Sequence, residues 1–316
     1  MAMRRFEIAQ DSMRPNLVPG TEVIAVDGRR PDVGDVVVFR HPNREDFWVV
    51  KRVVEPPVPI GEDEVWVVAD DLQGTRSDSR TLGALPITEM WTVVSRLDSG
   101  TFTQACRLLA QEDHALASVL DQHGPPEFWE RSAGFPTLVW LILEQQVSLE
   151  SGAAMYRRLH DAAGSVTPEA MMELGAARMR EIGVTRQKAV YLTELAEAVH
   201  RGDLPLDQLD DVSASEARSL LLEIKGIGPW TADAYLLSAL RHPDIFPVGD
   251  RALQVGTGEV LGMATAPDPE ELELLSAPWR PIRAAAARII WHGYLAARGR
   301  VEPSDPTQTH DAARRA

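Results

Sequence analysis

The sequence predicts a two-domain protein in which a small, mostly β domain precedes an all-α domain. The length of 316 residues favours two domains, since a domain commonly has about 100–200 residues. Residues 1–97 contain short β-branched runs between Pro and Gly turns, whereas Ala, Leu, Glu and Arg dominate residues 101–300. We therefore expect a β domain over 1–98, a helical domain over 99–300 and a flexible tail over 301–316.

The individual elements follow from the spacing of apolar residues. In the first domain, alternating or β-branched runs predict strands at 21–26, 35–39, 48–54 and 65–68. Short strands at this spacing are typical of a small antiparallel β domain. In the second domain, helical periodicity predicts helices at 103–122, 136–160, 168–181, 186–200, 214–224, 231–240 and 279–297, after a linker at 97–101.

Composition excludes several classes of protein. Apolar residues make up 44% of the chain and charged residues 25%, which is ordinary for a folded protein. The longest apolar stretch, Leu138–Leu143, is far shorter than the ~20 residues that cross a bilayer, and the N-terminus lacks the apolar core of a signal peptide. Cys106 is the only cysteine, which excludes an internal disulfide and multi-cysteine metal sites. We expect a cytoplasmic monomer with no membrane partner, cofactor or metal.

The charge balance limits how the chain could meet a polyanion. The formal net charge is −15 at pH 7, so any contact with DNA must use a local site. Lysine is rare beside arginine in this sequence, and it occurs only as Lys51, Lys188 and Lys225. Each of these lysines lies inside a motif described below.

Four segments of the first domain occur in a characteristic order. Ser12 begins the first, a Val-Gly-Asp turn before the run 35–39 forms the second, Lys51 lies in the third, and Asp78-Ser79-Arg80 closes the series. This order resembles that of type I signal peptidases and LexA-type self-cleaving proteins. The short form is most similar to the nickel superoxide dismutase maturation proteases. The resemblance covers nearly all of residues 4–96.

The resemblance implies that Ser12 is a nucleophile and Lys51 its general base. A serine hydroxyl is a poor nucleophile until a base takes its proton, and a lysine can be that base only when it is neutral. Burial among apolar neighbours lowers a lysine pKa, and Lys51 stands in a Val-Val-Lys-Arg-Val-Val run. The chemistry is therefore consistent with the implied roles.

The supporting positions match the family less closely. Ala69 stands where the family has a glycine, and Arg76 stands where it has a serine that orients the lysine. Thr75 is the candidate to take over that orienting role. Asp78 and Arg80 are retained, and we expect them to form an ion pair that supports the site.

Three interpretations of the first domain stay open. It is an active peptidase with a protein substrate, an inactive docking or regulatory module, or a peptidase that cleaves its own chain and releases the second domain. The linker at Ser99-Gly100 is a conceivable target for self-cleavage.

The second domain contains a glycine-rich turn between two predicted helices. The segment Lys225-Gly226-Ile227-Gly228 is followed by Pro229-Trp230-Thr231, and Asp250 stands twenty residues after Trp230. Glycines let the backbone turn sharply, and the amides at the start of the next helix form an anion site. The pattern resembles the helix–hairpin–helix DNA glycosylases, closest to their 3-methyladenine DNA glycosylase II branch, over residues 101–298.

The resemblance implies an enzyme that removes alkylated purines from double-stranded DNA. Asp250 matches the catalytic carboxylate, which would stabilise positive charge on the sugar and orient a water. Bifunctional relatives carry a Schiff-base lysine where this chain has Trp230, so we expect base excision without strand cleavage. Trp230 and Trp291 match aromatic residues of the base pocket, with Tyr235 beside them; the alternative for the two tryptophans is ordinary core packing.

A further set of residues is implied to contact DNA. Gln145 and Gln146 match the loop that fills the gap left by a flipped base; the alternative is a capped helix end. The hairpin and the lysines beside it are expected to hold phosphates. The full set is Gln145, Gln146, Ser148, Lys188, Lys225, Gly226, Ile227, Gly228 and Thr231.

Overall fold

The computed structural model describes residues 2–71, 77–128 and 131–300. The chain divides into two compact units. The first comprises Met1–Glu112 with Trp279–Ile282, and the second comprises Asp113–Pro278 and the chain from Arg283 onward. The predicted orienting residue Thr75 lies outside the described residues.

The first unit is built on an antiparallel sheet. Its described strands are β1 (Met3–Glu7), β2 (Glu22–Val26), β3 (Val36–Arg40), β4 (Trp48–Val54), β5 (Glu64–Val68), β6 (Leu85–Pro86) and β7 (Trp91–Val93). They are ordered β1-β2-β7-β3-β4-β5-β6, and each of these neighbouring pairs is antiparallel. A short helix, α1 (Ser79–Leu82), precedes β6. The prediction of a mostly β first domain is confirmed.

Strand β4 shows how the sequence sets the two faces of the sheet. Successive side chains of a strand point to opposite faces, and β4 alternates between half-buried and buried positions. Val49, Lys51 and Val53 therefore share the buried face, where Val49 and Val53 join a core with Val37, Phe39, Val65, Val67, Leu85 and Met90. Register pairs Lys51 with Val37 of β3. The period of two thus places a lysine amine among valines.

The predicted linker at 97–101 is wrong in its local structure. Ser99 and Gly100 begin helix α2 (Ser99–Glu112), which belongs to the first unit. A reciprocal cap starts this helix, because the Thr101 amide donates to the Asp98 carboxylate at 2.8 Å and the Asp98 amide donates to Thr101 Oγ1 at 2.8 Å. Sequence periodicity did not reveal this cap.

The second unit is helical, as predicted. Its described α-helices are α3 (His114–His123), α4 (Phe135–Glu144), α5 (Leu149–Ala163), α6 (Pro168–Glu181), α7 (Arg186–Arg201), α8 (Ala214–Leu222), α9 (Pro229–Ser238), α10 (Arg251–Val260), α11 (Pro269–Ser276) and α12 (Arg283–Ala296). Helix α4 is buried almost all round, and its Leu138, Leu141 and Ile142 pack in one core with Leu192 of α7 and Leu236 of α9. The apolar stretch noted in the sequence is this core helix. In the part of the chain described, no helix combines the length and apolar character needed to cross a membrane.

Two predicted helices are each split in the structure. Asp113 accepts hydrogen bonds from the amides of Ala115 and Leu116 and so starts α3 as a separate helix. Residues 145–148 separate α4 from α5, which Ser148 caps. Helices α10 and α11 were not predicted. In α10, two glycines and β-branched residues weaken the helical signal, whereas packing against α12 stabilises the helix.

Candidate functional sites

The first site brings Ser12 and Lys51 together on the β unit. Ser12 lies in a 3₁₀ turn at Asp11–Met13 and is nearly buried, and the Lys51 side chain enters from β4 with 2% exposure. Lys51 Nζ lies 2.9 Å from Ser12 Oγ and 2.8 Å from the Val50 carbonyl oxygen. The two residues are 39 positions apart in the chain, so the fold creates this contact.

Burial changes the titration of Lys51. Removal of the ammonium from water lowers the Lys51 pKa to about 8, an effect that the nearby Asp78 carboxylate opposes. An amine with a pKa of about 8 is neutral in about a tenth of the molecules at pH 7, and in a growing fraction as the pH rises. The site therefore holds a lysine that could take a proton from the adjacent serine hydroxyl.

Asp78 organises the segment that borders this pair. Its carboxylate is fully buried and accepts hydrogen bonds from Arg80 Nη2 at 2.7 Å and from the Ala69 amide at 3.0 Å. Although burial raises it, the hydrogen bonds from Arg80 and Ala69 bring the pKa of Asp78 below its usual value. The ion pair predicted between Asp78 and Arg80 is present.

A second ion pair, which the sequence did not reveal, ties the same region together. Arg52 donates to both oxygens of Asp70, at 2.8 and 2.7 Å, and Asn16 donates to Asp70 at 2.7 Å. The Asp71 amide donates to the Ser12 carbonyl at 3.1 Å. The strand that carries Lys51 and the turn that carries Ser12 are therefore both linked to residues 70–71.

A cleft of about 210 Å³ opens beside the pair. Its apolar lining comes from Phe6, Ile8, Val38, Phe47, Trp48 and Val49, and Ser12 and Lys51 form part of the wall. A side chain of modest size and apolar character would fit this space.

The second site lies on the helical unit, at the turn between α8 and α9. Gly226 has φ +98, and a Cβ there would overlap the ring of Tyr191 and lie 2.6 Å from the Tyr191 Cβ. Gly228 is the N-cap of α9 and provides no side-chain cap, and Pro229 follows at the first helical position. The turn therefore brings amides of an uncapped helix N-terminus to the surface, where an anion could accept their hydrogen bonds.

Several residues predicted to contact DNA serve inside the protein instead. Gln145 Nε2 donates to the Gly226 carbonyl and to Thr231 Oγ1, each at 2.9 Å, so it braces the hairpin from the end of α4. Thr231 is 1% exposed. Ile227 is buried in the helical core, which leaves only its backbone for a contact. These residues stabilise the hairpin through hydrogen bonds and core packing.

The two lysines near the hairpin also have partners within the protein. Lys188 Nζ donates to the carbonyls of Leu143 at 2.7 Å and Gln145 at 2.8 Å, where it caps the end of α4, and burial lowers its pKa. Lys225 is exposed and pairs with Glu194 at 2.8 Å, which raises the Lys225 pKa. Lys188 therefore has a structural role at the end of α4, and its phosphate contact stays a prediction.

The loop after α4 projects from the surface beside this hairpin. Gln146 adopts a left-handed conformation with φ +58, and it is exposed together with Val147 and Ser148. Ser148 caps α5 through a hydrogen bond from the Ser151 amide. Val147 is 47% exposed, and the sequence reasoning missed it. The sequence feature that could have indicated its exposure is an apolar residue between polar neighbours in the loop that joins α4 to α5.

Asp250 receives three hydrogen bonds. As the N-cap of α10, it accepts from the Leu253 amide at 2.7 Å on Oδ1. Trp230 Nε1 donates to Oδ2 at 2.7 Å, and Trp291 Nε1 donates to Oδ1 at 3.0 Å. The resemblance assigns the two tryptophans to the base pocket, and the structure shows that their N–H groups also fix the carboxylate.

Tyr235 does not join this group as predicted. It is fully buried in α9, and its hydroxyl accepts a hydrogen bond from the Gly134 amide at 2.8 Å. Burial raises the Tyr235 pKa to about 12. Tyr235 follows Trp230 by five residues in α9. The helical period therefore turns the Tyr235 side chain to a different face of the helix, and that face enters the core.

Arg283 anchors the loop that leads to Asp250. Its guanidinium donates to both carboxylate oxygens of Asp244, at 2.8 and 3.2 Å, and to Glu273 at 2.8 Å. Gln254 donates to the Val248 carbonyl at 3.0 Å and fixes the other end of the loop. The sequence reasoning assigned neither residue a role. In the part of the chain that the structure describes, no group of His, Cys, Asp or Glu side chains is arranged to hold a metal ion.

Two protein-family models match separate parts of the chain. Residues 139–281 match the family model of the HhH-GPD superfamily of base excision DNA repair proteins. Residues 1–57 match the family model of signal peptidases, peptidase S26.

Individual relatives match the helical part. A DNA-3-methyladenine glycosylase of Bacillus subtilis (strain 168) is 28% identical over 169 residues, which are 50% of this chain and 56% of the relative. DNA-3-methyladenine glycosylase 1 of Schizosaccharomyces pombe is 25% identical over 180 residues, which are 56% of this chain and 79% of the relative. The chain thus spans little more than half the length of the first of these relatives.

Two solved structures share the fold. The 3-methyladenine DNA glycosylase Mag1 of Schizosaccharomyces pombe, in complex with abasic DNA, superimposes with a TM-score of 0.55 at 25% identity. The match covers 60% of this chain and 95% of Mag1. A DNA-3-methyladenine glycosidase of Bacillus halodurans has a TM-score of 0.54 at 26% identity over 62% of this chain and 91% of that one.

The hairpin geometry predicts different outcomes for its two glycines. Gly226→Ala should lower the free energy of unfolding by about 2–4 kcal/mol, because the methyl group meets Tyr191 and the positive φ is strained. Gly228→Ala is the matched control, since nothing lies within 4 Å of its Cβ position. Urea denaturation followed by far-UV circular dichroism measures the free energy of unfolding of both variants. Equal losses of stability would contradict the conclusion that Gly226, and not Gly228, is required by the turn.

Proposed function

We propose that the helical unit hydrolyses the N-glycosidic bond of alkylated purines in double-stranded DNA, because residues 139–281 belong to the HhH-GPD superfamily of base excision DNA repair proteins. The observation that carries the proposal is the Asp250 carboxylate, which two indole N–H groups hold in place and which stands twenty residues after Trp230. We also propose the cytoplasm as its location, since a DNA substrate requires the compartment that contains the DNA.

The proposed reaction needs little beyond a well-placed carboxylate. An alkylated purine is cationic, so it leaves with the electron pair of the glycosidic bond and departs as a neutral base. Positive charge then develops on the sugar, and an ionised Asp250 beside C1′ stabilises it. Water adds to C1′ and releases its proton to solvent. The three N–H donors to Asp250 keep both oxygens in place throughout.

The lysines of the unit favour base excision without strand cleavage. A strand-cleaving relative would need a lysine able to form a Schiff base with the sugar, and this chain has Trp230 at that position. Lys225 is paired with Glu194, and Lys188 is bonded to two backbone carbonyls. We therefore propose a monofunctional glycosylase.

Two exposed elements support duplex binding in this proposal. The uncapped start of α9 would bind a backbone phosphate, and Gln146 with Val147 would enter the space that the flipped nucleotide vacates. Gln146 offers hydrogen bonds to the orphaned partner base, whereas Val147 offers apolar contact. The acidic chain then depends on few phosphate contacts, so the logarithm of the binding constant should fall only shallowly with the logarithm of the salt concentration.

Asp250→Asn tests the catalytic assignment. Asn caps a helix about as well as Asp, so the variant should fold. It loses the charge and, at the position of Oδ2, the acceptor for the Trp230 N–H. Release of 3-methyladenine, 7-methylguanine or hypoxanthine from duplex DNA should fall by ~100-fold or more. Asp268→Asn, which changes the N-cap of α11 in the same way, is the matched control and should keep full activity. Unchanged base release by Asp250→Asn would refute the assignment.

Replacing each indole by phenyl separates positioning from stacking. Trp230→Phe and Trp291→Phe keep an aromatic ring but remove the N–H that donates to Asp250. We expect kcat to fall about tenfold in each variant, since a hydrogen bond to a charged group is worth roughly 1.5–3 kcal/mol, while KM changes little. Steady-state base-release assays give both constants. A raised KM with unchanged kcat would show that the rings act by stacking alone.

We propose a second function, serine–lysine peptidase activity, for the β unit. The specific observation is the 2.9 Å contact between buried Ser12 and Lys51, together with the lowered pKa of Lys51. Neutral Lys51 would take the Ser12 proton as Oγ attacks a peptide carbonyl, and would then give it to the departing amine. Water, deprotonated in turn by Lys51, would hydrolyse the resulting ester and regenerate both residues.

The self-cleavage alternative is disfavoured at its suggested target. Ser99 and Gly100 form the first turn of α2, and a peptidase cleft accepts extended chain, so this helix would have to unwind first. A docking or regulatory module without activity is the remaining rival. It differs from a peptidase in the reactivity of Ser12.

The pH dependence of Ser12 acylation distinguishes an active peptidase from an inactive docking or regulatory module. The neutral fraction of Lys51 grows as pH rises through its pKa of about 8, so acylation by p-nitrophenyl acetate should rise with pH around the same midpoint. Peptide mapping by mass spectrometry locates the acetyl group. Lys51→Met should slow the reaction by ~100-fold, whereas exposed Ser95→Ala is a control without effect. A docking module would leave Ser12 unmodified at every pH.

A further inference from the structure

Three arginines stack on aromatic rings around the cleft beside Ser12. The Arg4 guanidinium lies 5.1 Å from the ring centre of Phe6 and 5.0 Å from that of Trp48. Arg40 lies 5.1 Å from the Trp48 ring, and Arg44 lies 4.6 Å from the Phe47 ring. We call Arg4, Arg40 and Arg44 the arginine rim.

The rim and the cleft share residues. Phe6, Phe47 and Trp48, on which the rim stacks, also line the cleft that contains Ser12 and Lys51, and Arg44 itself lines it. The three arginines are exposed. A ligand that enters the apolar cleft would therefore extend past these guanidinium groups.

Stacking prepares a guanidinium for a carboxylate. Each guanidinium group is held over a ring by a cation–π contact, which leaves its N–H donors available to a ligand. A carboxylate can accept two of those hydrogen bonds at once. The side-chain order that such a contact requires is thus already present.

In the part of the chain that the structure describes, two of the three rim arginines form no ion pair. Arg40 lies 3.5 Å from Asp46, in a pair that is more than half exposed on both sides and is correspondingly weak. Within the described residues Arg4 and Arg44 pair with no carboxylate, although Glu7 also lines the cleft and Glu45 follows Arg44 in the chain. Their guanidinium groups are therefore available to an acidic ligand, on a chain whose net charge is −15.

We propose that the Ser12–Lys51 site takes an extended acidic peptide, with a small apolar side chain in the cleft and neighbouring Glu or Asp side chains on the arginine rim. This inference rests on the peptidase function proposed above and names its substrate class. A peptide fits better than single-stranded nucleic acid for two reasons. The cleft leads to an acyl-transfer pair, and the arginines occupy the ring faces on which bases would stack.

Binding to the full chain carrying Ser12→Ala tests the proposal without requiring cleavage. The probes are two fluorescein-labelled peptides with the same Ala-Val-Ala centre, one flanked by Glu and the other by Gln. Fluorescence anisotropy should give about tenfold tighter binding for the Glu peptide, and the preference should shrink as NaCl rises. Adding Arg40→Gln and Arg44→Gln should reduce the preference to about twofold. The matched control, Arg29→Gln with Arg30→Gln, removes the same charge elsewhere on the unit and should preserve it.

Two results would overturn the proposal. One is equal or undetectable binding of the Glu and Gln peptides. The other is tighter binding of a short single-stranded DNA to the rim than of the Glu peptide, which would make the surface a nucleic-acid site. Failure of the peptidase function is detected separately, because it would leave Ser12 unacylated while the binding preference persists.

Discussion

The helical unit depends on the burial of α4. A helix that is apolar on every side must end inside the protein, and its last carbonyls then need internal donors. Lys188 supplies two such hydrogen bonds, and Gln145, the next residue after the helix, reaches across to Gly226 and Thr231. The same contacts that close the core therefore hold the hairpin, and they leave Gln146–Ser148 as the exposed continuation of the most buried helix.

Asp250 combines a structural and a proposed chemical role. Its side chain caps α10, while Trp230 from α9 and Trp291 from α12 donate to the same carboxylate. Three helices thus converge on one group, and Arg283 fixes the preceding loop through Asp244. A carboxylate so constrained loses little orientation entropy when a substrate arrives, which is the condition for electrostatic stabilisation to act at full strength.

Sequence reasoning reached the fold class and the central residues of both sites, but not the direction of every side chain. The apolar neighbours of Lys51 in the sequence indicated that it could be buried, whereas its contact with Ser12 came only from the resemblance, because 39 residues separate them. Helical periodicity gives spacing without naming the inward face, so Tyr235 and Ile227 were placed in the site although both enter the core. The role of Lys188 depends on carbonyls 43 and 45 residues away, which no local pattern encodes.

The presence of lysine at positions 51 and 188, in a chain that otherwise favours arginine, has a physical reason. An arginine stays charged at any accessible pH and carries a broad planar group, so it suits the exposed stacks and the Asp78 and Asp244 pairs. Lys51 needs a side chain that can become neutral beside a hydroxyl, and Lys188 needs a compact donor to two nearby carbonyls. Burial lowers the pKa of both lysines, and only an amine can respond to it by losing its proton. Arginine at position 51 would keep the positive charge and remove the base, so the peptidase chemistry proposed for the β unit requires lysine there.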